Sequence, residues 1–410
     1  MAKGDAKWST RKLVLGWIID TVRGTIELPP HRVDRLLEIL SSIQPNQKQI
    51  ATQSWHQIIG ELRSMVSAIS GARGLFSTLQ EAFRHPDPAR SRLRLHKHVH
   101  DFLEDFRWIA NSLAERPTRI AELVPARTPH TIGACDAAGT GMGGVHFVPI
   151  QGRLQPILWR QKFTPAIQTE LVSFDNPTGK ISNSDLELAG SVAHADIIAQ
   201  FTDVRERTLQ HLYDNTPTVC WQRKGSTTTT GPAAYLLRIQ AIHQRHFRYV
   251  SRHDYIPGPA NVMADFCSRA WHLSDSQLLS HFDTQFPQDE PWQCCHLRRP
   301  MNLSLISALF KKRSDPGLLL NEPKHTTNIG TDGLNSVLKM ALTHSFATTR
   351  IQSPFSRCLV SDTEMAVSHP ATTPYGLGQW RTASAPLGRN FPAWGSGTYA
   401  KMPTARSISE

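Results

Sequence analysis

The chain opens on alternating apolar and polar positions. In KLVLGWIIDTVRGTIELPPHR the run Val14 to Ile19 is apolar and rich in branched side chains, Arg23-Gly24 can turn, and Thr25 to Leu28 returns. That pattern predicts a hairpin, which Pro29-Pro30 ends. From Arg32 the period lengthens, and Val33, Leu36, Leu37, Leu40 and Ile43 fall on one face of a helix. A second helical pattern runs from Trp55 to Phe83 with a break at Gly71, and a third from about Leu95 to Leu113. Residues 31 to 115 therefore predict a helical region, joined through Arg116 to Pro129 to a segment of different character.

From Thr131 the chain reads as short strands. TIGACDA, GGVHFVPI and PILWRQKF predict three antiparallel strands, with glycines between the first two. Ser184 to Phe201 reads as a helix, Thr208 to Tyr213 as a strand, Tyr235 to Arg245 as a helix, His246 to Arg252 as a strand and Asn261 to Trp271 as a short closing helix. The fold class is α/β, a mixed sheet with flanking helices. Past Trp271 the order weakens: Asn302 to Lys312 predicts one small helix, and from about Ser314 a Ser, Thr, Pro and Gly-rich tail lacks the apolar surface to offset ordering entropy. The division is 1–120, 131–272 and a low-order 273–410.

Charge adds a partner class. Lys plus Arg number 45 against 34 Asp plus Glu, a net +11 with pI near 9.6, which favours a polyanion, nucleic acid ahead of an anionic membrane surface. The excess is spread along the chain. The six cysteines form no CxxC pair, which argues against a zinc ribbon or disulfide framework, and adjacent Cys294, Cys295 and His296 rarely reach one tetrahedral metal together. The N-terminus shows no apolar stretch of spanning or leader length, so no membrane or secretory route is expected and an intracellular location is, cytoplasmic or nuclear.

Four carboxylates carry the candidate chemistry. Asp136 ends an apolar run before a Gly-rich turn, Glu187 opens a helix, Asp214 ends a strand and Asp265 falls in the closing helix. Two divalent cations, hard acids that prefer oxygen, would need such a cluster to hydrolyse a phosphodiester, and without metal its members should repel and hold protons. Each acid also has a plainer reading. Asp136 and Asp214 sit where turn residues do, and Ser184 to Glu187 spells a helix capping box.

Taken in order, GACDAAGTGMGG, SNSDLELAG, LYDNTPTVCWQRKGS and YIPGPANVMADFCSR resemble the four blocks of the ribonuclease H domains of reverse-transcribing elements, especially the DIRS-like group of retrotransposons. The last block, with Asn261, Ala264, Asp265, Ser268 and Arg269, is the most distinctive. The segment before them is similar to the end of a reverse transcriptase and its connection region, so the resemblance covers about Trp8 to Thr284. It implies a ribonuclease H-like fold and an endonuclease cleaving the RNA strand of RNA:DNA hybrids with two Mg²⁺ or Mn²⁺ ions. Asp136 would be shared by both ions, Asp265 would serve the water-activating one, and Glu187 with Asp214 the one beside the leaving oxygen. His253 matches the family's loop histidine that assists product release, and Arg223 and Lys224 are placed for phosphate contacts. Other segments of a retroelement polyprotein are further expected partners.

The pattern also departs from a whole reverse transcriptase. No two aspartates are adjacent, so the paired Asp of a polymerase palm is missing and a fragment without polymerase activity is expected. The order D, E, D, D argues against an integrase, which places Glu last. The competing reading is a catalytically decayed, nucleic-acid-binding remnant. Trp159, Trp221 and Trp271 could stack on bases, but their apolar neighbours point to packing.

Overall fold

The computed structural model describes residues 9–320, apart from 67, 68, 70, 85, 88–90, 229 and 230; the tail expected to be of low order lies, past 320, outside the described residues. The N-terminal region pairs Arg11–Val14, Trp17–Asp20, Thr25–Glu27 and Thr118–Arg119 into an antiparallel sheet. The apolar run Val14 to Ile19 is thus not one strand. Leu15 and Gly16, at φ 49° and 81°, turn the chain inside it. Helices follow at Pro30–Ser42, Thr52–Met65 and Lys97–Glu115. The expected break at Gly71 is real: at φ 73° it starts a 3-10 turn, Ala72–Leu75.

The second region is a six-stranded mixed sheet, with strands β1 Thr131–Ala138, β2 Gly141–Ile150, β3 Arg153–Lys162, β4 Thr208–Tyr213, β5 Val250–Tyr255 and β6 Gln293–Cys295, in the order β5-β4-β1-β2-β3-β6. β1, β2 and β3 are antiparallel neighbours, whereas β4 joins β1 and β5 joins β4 in parallel. Helices α1 Asn183–Phe201, α2 Thr216–Lys224, α3 Pro232–Phe247, α4 Val262–Arg269, α5 Asp275–Gln285 and α6 Arg299–Leu309 flank the sheet. Side chains alternate between faces along a strand. Val145, Phe147 and Leu158 pack on one face with Met263, Cys267, Phe282 and Trp292, while Cys135, Ala137, Ile157 and Trp159 join the larger core with α1 and α3. α1 is buried from Asp185 to Ile198, which explains why its sequence is apolar nearly all round.

One sequence expectation needs correction. Order does not weaken at 273: α5, β6 and α6 extend the domain, and β6 pairs in parallel with β3. Arg160 fastens this extension, donating to the Asp275 carboxylate and to the carbonyls of Ala270 and Leu273. The helix Lys97–Glu115 docks on α3. Its buried Asp105 carboxylate accepts from Arg238 of α3 and from Arg313, and Arg238 also donates to the Ser314 carbonyl at 2.6 Å. Arg245 adds bonds to Ser112 and Thr118.

Candidate metal centre

Parallel pairing aligns the first two acids. Leu212 of β4 lies opposite Ala134 of β1, so two residues further Asp214 stands level with Asp136, about 5 Å away across the strands. Glu187, in the first turns of α1, reaches the same strand end, where the Ala137 backbone N–H donates to it. One carboxylate oxygen from each of Asp136, Glu187 and Asp214 falls within 4.8 Å of the other two.

The capping reading of Glu187 fails. The box is set two residues earlier, with Ser182 as N-cap: its hydroxyl accepts from the Asp185 N–H at 3.2 Å while Asp185 accepts from the Ser182 N–H at 2.9 Å. Glu187 is left buried with Oε2 unpaired, an oxygen desolvated without a protein partner. Burial, then the charges of Asp136 and Asp214, push its pKa up to about 9. Burial also raises the Asp136 carboxyl, against the pull of the Ser268 hydroxyl that donates to it, and raises Asp214, against a side-chain bond from Asn261.

Asp265 stands at the rim. It is half-buried, outside the trio, and its carboxylate accepts from Arg269 one helical turn on. Arg269 also lies 4.0 Å from Asp136, so one guanidinium bridges the two acids. Ser268, Asn261 and Arg269 belong to the distinctive last block, and the geometry now gives each a contact.

The other expected residues scatter. His253 lies not in a loop but inside β5, where it is buried and its Nδ1 is 3.1 Å from the Tyr213 hydroxyl. Burial, then His211 and Arg223, hold its pKa well below the usual range. Arg223 is turned back on β5, donating to the His253 carbonyl and the Asp254 carboxylate. Lys224 is exposed. Trp159 is fully buried, and Trp271 donates to the Ser268 carbonyl and stacks under Arg160.

Sequence reasoning missed a second cluster. His211 of β4 and His146 of β2 stand opposite Gly133 on either side of β1, with His253 next to His211 in the same row. A Cβ at Gly133 would lie 2.3 Å from His146 Nδ1, so only glycine leaves room for the ring. His194 of α1 stacks on His146 at 3.7 Å, and both stay within 5.6 Å of His211. Burial drives all three well below the usual histidine pKa, His211 to about 3. Although ring nitrogens of the three approach within 4.8 Å, the set does not suit a metal. The Trp159 indole N–H, a donor only, occupies His194 Nδ1 at 2.8 Å, which leaves the proton on an unpartnered Nε2. The clue in the sequence was a histidine inside each of two strand-like runs, His146 and His211, and a third, His194, inside the apolar helix between them.

No protein-family model matches the chain, and no curated protein matches it. Among solved structures it is similar to RNase H1 from the halophilic archaeon Halobacterium salinarum NRC-1, at 16% identity over 34% of this chain and 92% of that one, with a TM-score of 0.24. A second is the N-terminal RNase H domain of a Mycobacterium tuberculosis protein, at 15% identity over 38% of this chain and 95% of that one, TM-score 0.23. A third is the foamy viral protease-reverse transcriptase in complex with RNA/DNA hybrid, at 10% identity over 61% of this chain, TM-score 0.24; the chain spans 29% of that protein. The fold is α/β, a mixed sheet with flanking helices, as the sequence led one to expect. Among the described residues no helix is long and apolar enough to cross a membrane.

Proposed function

We propose that the chain is a ribonuclease H-type endonuclease of retroelement origin that cleaves the RNA strand of RNA:DNA hybrids with two Mg²⁺ or Mn²⁺ ions. One observation carries this reading. Three acids from separate elements converge as an all-oxygen donor set, and one of them, Glu187, presents a buried oxygen with no protein partner. Such a set fits hard divalent cations, which would replace the protons the acids otherwise hold. Asp136, Glu187 and Asp214 would hold the ions, joined by Asp265 once Arg269 releases it. When bound, such ions would supply the Lewis acidity that activates a water and stabilises the leaving oxygen.

The chain's own residues set the geometry. The Ser268 hydroxyl fixes the rotamer of Asp136, Asn261 holds Asp214, and Arg269 keeps Asp265 near the strand ends. Recognition of the hybrid would follow its minor-groove shape and 2′-hydroxyls without strict sequence preference. The DIRS-like assignment rests on the four sequence blocks alone, and the expected lack of primer extension on the absence of any adjacent pair of aspartates.

The decayed-remnant reading draws support from Asp265, which is paired to Arg269 outside the trio. Incubating the purified chain with a hybrid labelled on each strand separates the two. RNA-strand cleavage in Mg²⁺ or Mn²⁺ that EDTA abolishes supports the enzyme. Binding without cleavage in either metal supports the remnant, and cleavage in EDTA defeats the two-ion centre.

A further inference from the structure

A groove of about 650 Å³ runs between the N-terminal region and α2. Its walls bring together cations distant in sequence: Arg63 at the end of Thr52–Met65, Arg73 of the 3-10 turn, Arg84, and Lys224 at the end of α2. No Asp or Glu is among its described lining residues. Phe76, under the Arg63 guanidinium at 5.8 Å, and half-buried Trp221 give it an aromatic floor.

The groove is held open by bonds from its own walls. Ser77 donates to the Thr227 carbonyl at 2.6 Å and Arg84 to the Thr228 carbonyl at 3.0 Å. Behind them, a Cβ at Gly71 would approach the Ala241 backbone to 3.0 Å, so a glycine there lets the 3-10 turn rest directly on α3. Packing of both regions against each other therefore gathers the four cations along one groove. Like charges held this close repel, and an anion in the groove relieves that cost.

We propose that this groove binds the phosphodiester backbone of a nucleic-acid strand, with Arg63, Arg73, Arg84 and Lys224 on phosphates and Trp221 against a base or sugar. The proposal rests on the ribonuclease reading for its placement. α2 begins two residues after Asp214 and its nine residues span about 13 Å, so Lys224 lies some four base steps of 3.4 Å from the carboxylates. A strand held in the groove lies within a few nucleotides of the acids. The arrangement also separates the expected pair of phosphate contacts: Lys224 faces the groove, whereas Arg223 is engaged with β5.

The test measures binding apart from cleavage. The full chain is titrated into a fluorescein-labelled RNA:DNA hybrid in EDTA at several salt concentrations. The double variant Arg73→Gln/Lys224→Gln should lose about tenfold or more in affinity and about 2 units of salt slope, since each phosphate contact contributes roughly 0.9. The control Lys180→Gln/Arg205→Gln removes two exposed charges elsewhere and should leave slope and affinity nearly unchanged. Equal melting temperatures by circular dichroism check that folding is intact. A double variant that binds like wild type overturns the proposal. So does a poly-glutamate competitor that displaces the hybrid as well as unlabelled hybrid does, because the groove would then read charge on any polyanion. Loss of groove-dependent binding in a chain that never cleaves would sink the ribonuclease reading and leave the groove standing.

Discussion

The carboxylate cluster and the histidine cluster are carried by the same elements. α1 supplies Glu187 and, two turns later, His194, while β4 supplies His211 and, just past its end, Asp214. Both clusters are desolvated, and burial shifts both toward their uncharged forms in opposite senses: it raises the acids' pKa values, Glu187 to about 9, and lowers those of the imidazoles. The difference is position. At the strand ends an incoming cation can take the place of the protons, and an unpaired oxygen waits for it. In the middle of the sheet Trp159 already uses the lone pair of His194, and nothing charged can be accommodated. Burial of ionisable groups thus builds the proposed metal centre at the rim and a sealed core one layer deeper.

The sharpest test of this contrast is Asp136→Asn, which removes one of the three converging acids. Hybrid cleavage should fall about a thousandfold or more, roughly 4 kcal/mol of barrier, with folding retained. Near-normal cleavage would show that the rim cluster is as inert as the buried one.

The next largest effect is on stability against pH. The histidines have folded pKa values below their unfolded value of about 6.5, so their contribution is complete above about pH 6.5 and is lost on acidification. Each costs up to about 1.4 kcal/mol per pH unit as it falls. Glu187 has the opposite sign. Its folded pKa of about 9 lies above the usual 4.5, so its contribution falls as pH rises between those values unless a cation is bound. Melting curves from about pH 7 to about pH 5 should therefore drop more steeply with saturating Mg²⁺ than in EDTA. A melting temperature independent of pH in Mg²⁺ would mean that the histidines are not held neutral.

Glu187→Gln isolates the acid half. In EDTA at neutral pH it should raise stability by up to about 3 kcal/mol, since it removes a buried acid forced to hold a proton, while Mg²⁺ no longer raises the melting temperature and cleavage collapses. An unchanged response to Mg²⁺ would take Glu187 out of the centre. The smallest effect is expected for Ser182→Ala, which removes the N-cap of α1 at a cost of about 1 kcal/mol and leaves cleavage intact.

Long periodic stretches were legible in the sequence: β4 matches its predicted bounds, and α1 begins one residue earlier than expected. Three failures have physical causes. SNSDLE contains two overlapping Ser-x-x-acid patterns, and only tertiary burial decides that Asp185 caps the helix while Glu187 turns to the acids. The run VLGWII hid a turn, because its apolar residues mask a left-handed pair. β6 is three residues long and is a strand only because Arg160, Phe282 and Trp292 hold it against β3. At the site, the convergence of three acids was legible from spacing and order, whereas the embedding of His253 in β5 was not, since its neighbours arrive from strands distant in sequence.

The Asp105 clasp sets a timetable for synthesis. Its carboxylate leaves the ribosome 133 residues before Arg238 and 208 before Arg313, the two side chains that neutralise it. Until both have emerged, the helix Lys97–Glu115 would carry an unpaired charge on the face it must bury, at a cost of several kcal/mol that should keep the early region from closing alone. Ribosome-bound chains halted before Arg238 should accordingly be cut by protease within Lys97–Glu115, and chains extended past Arg313 should resist.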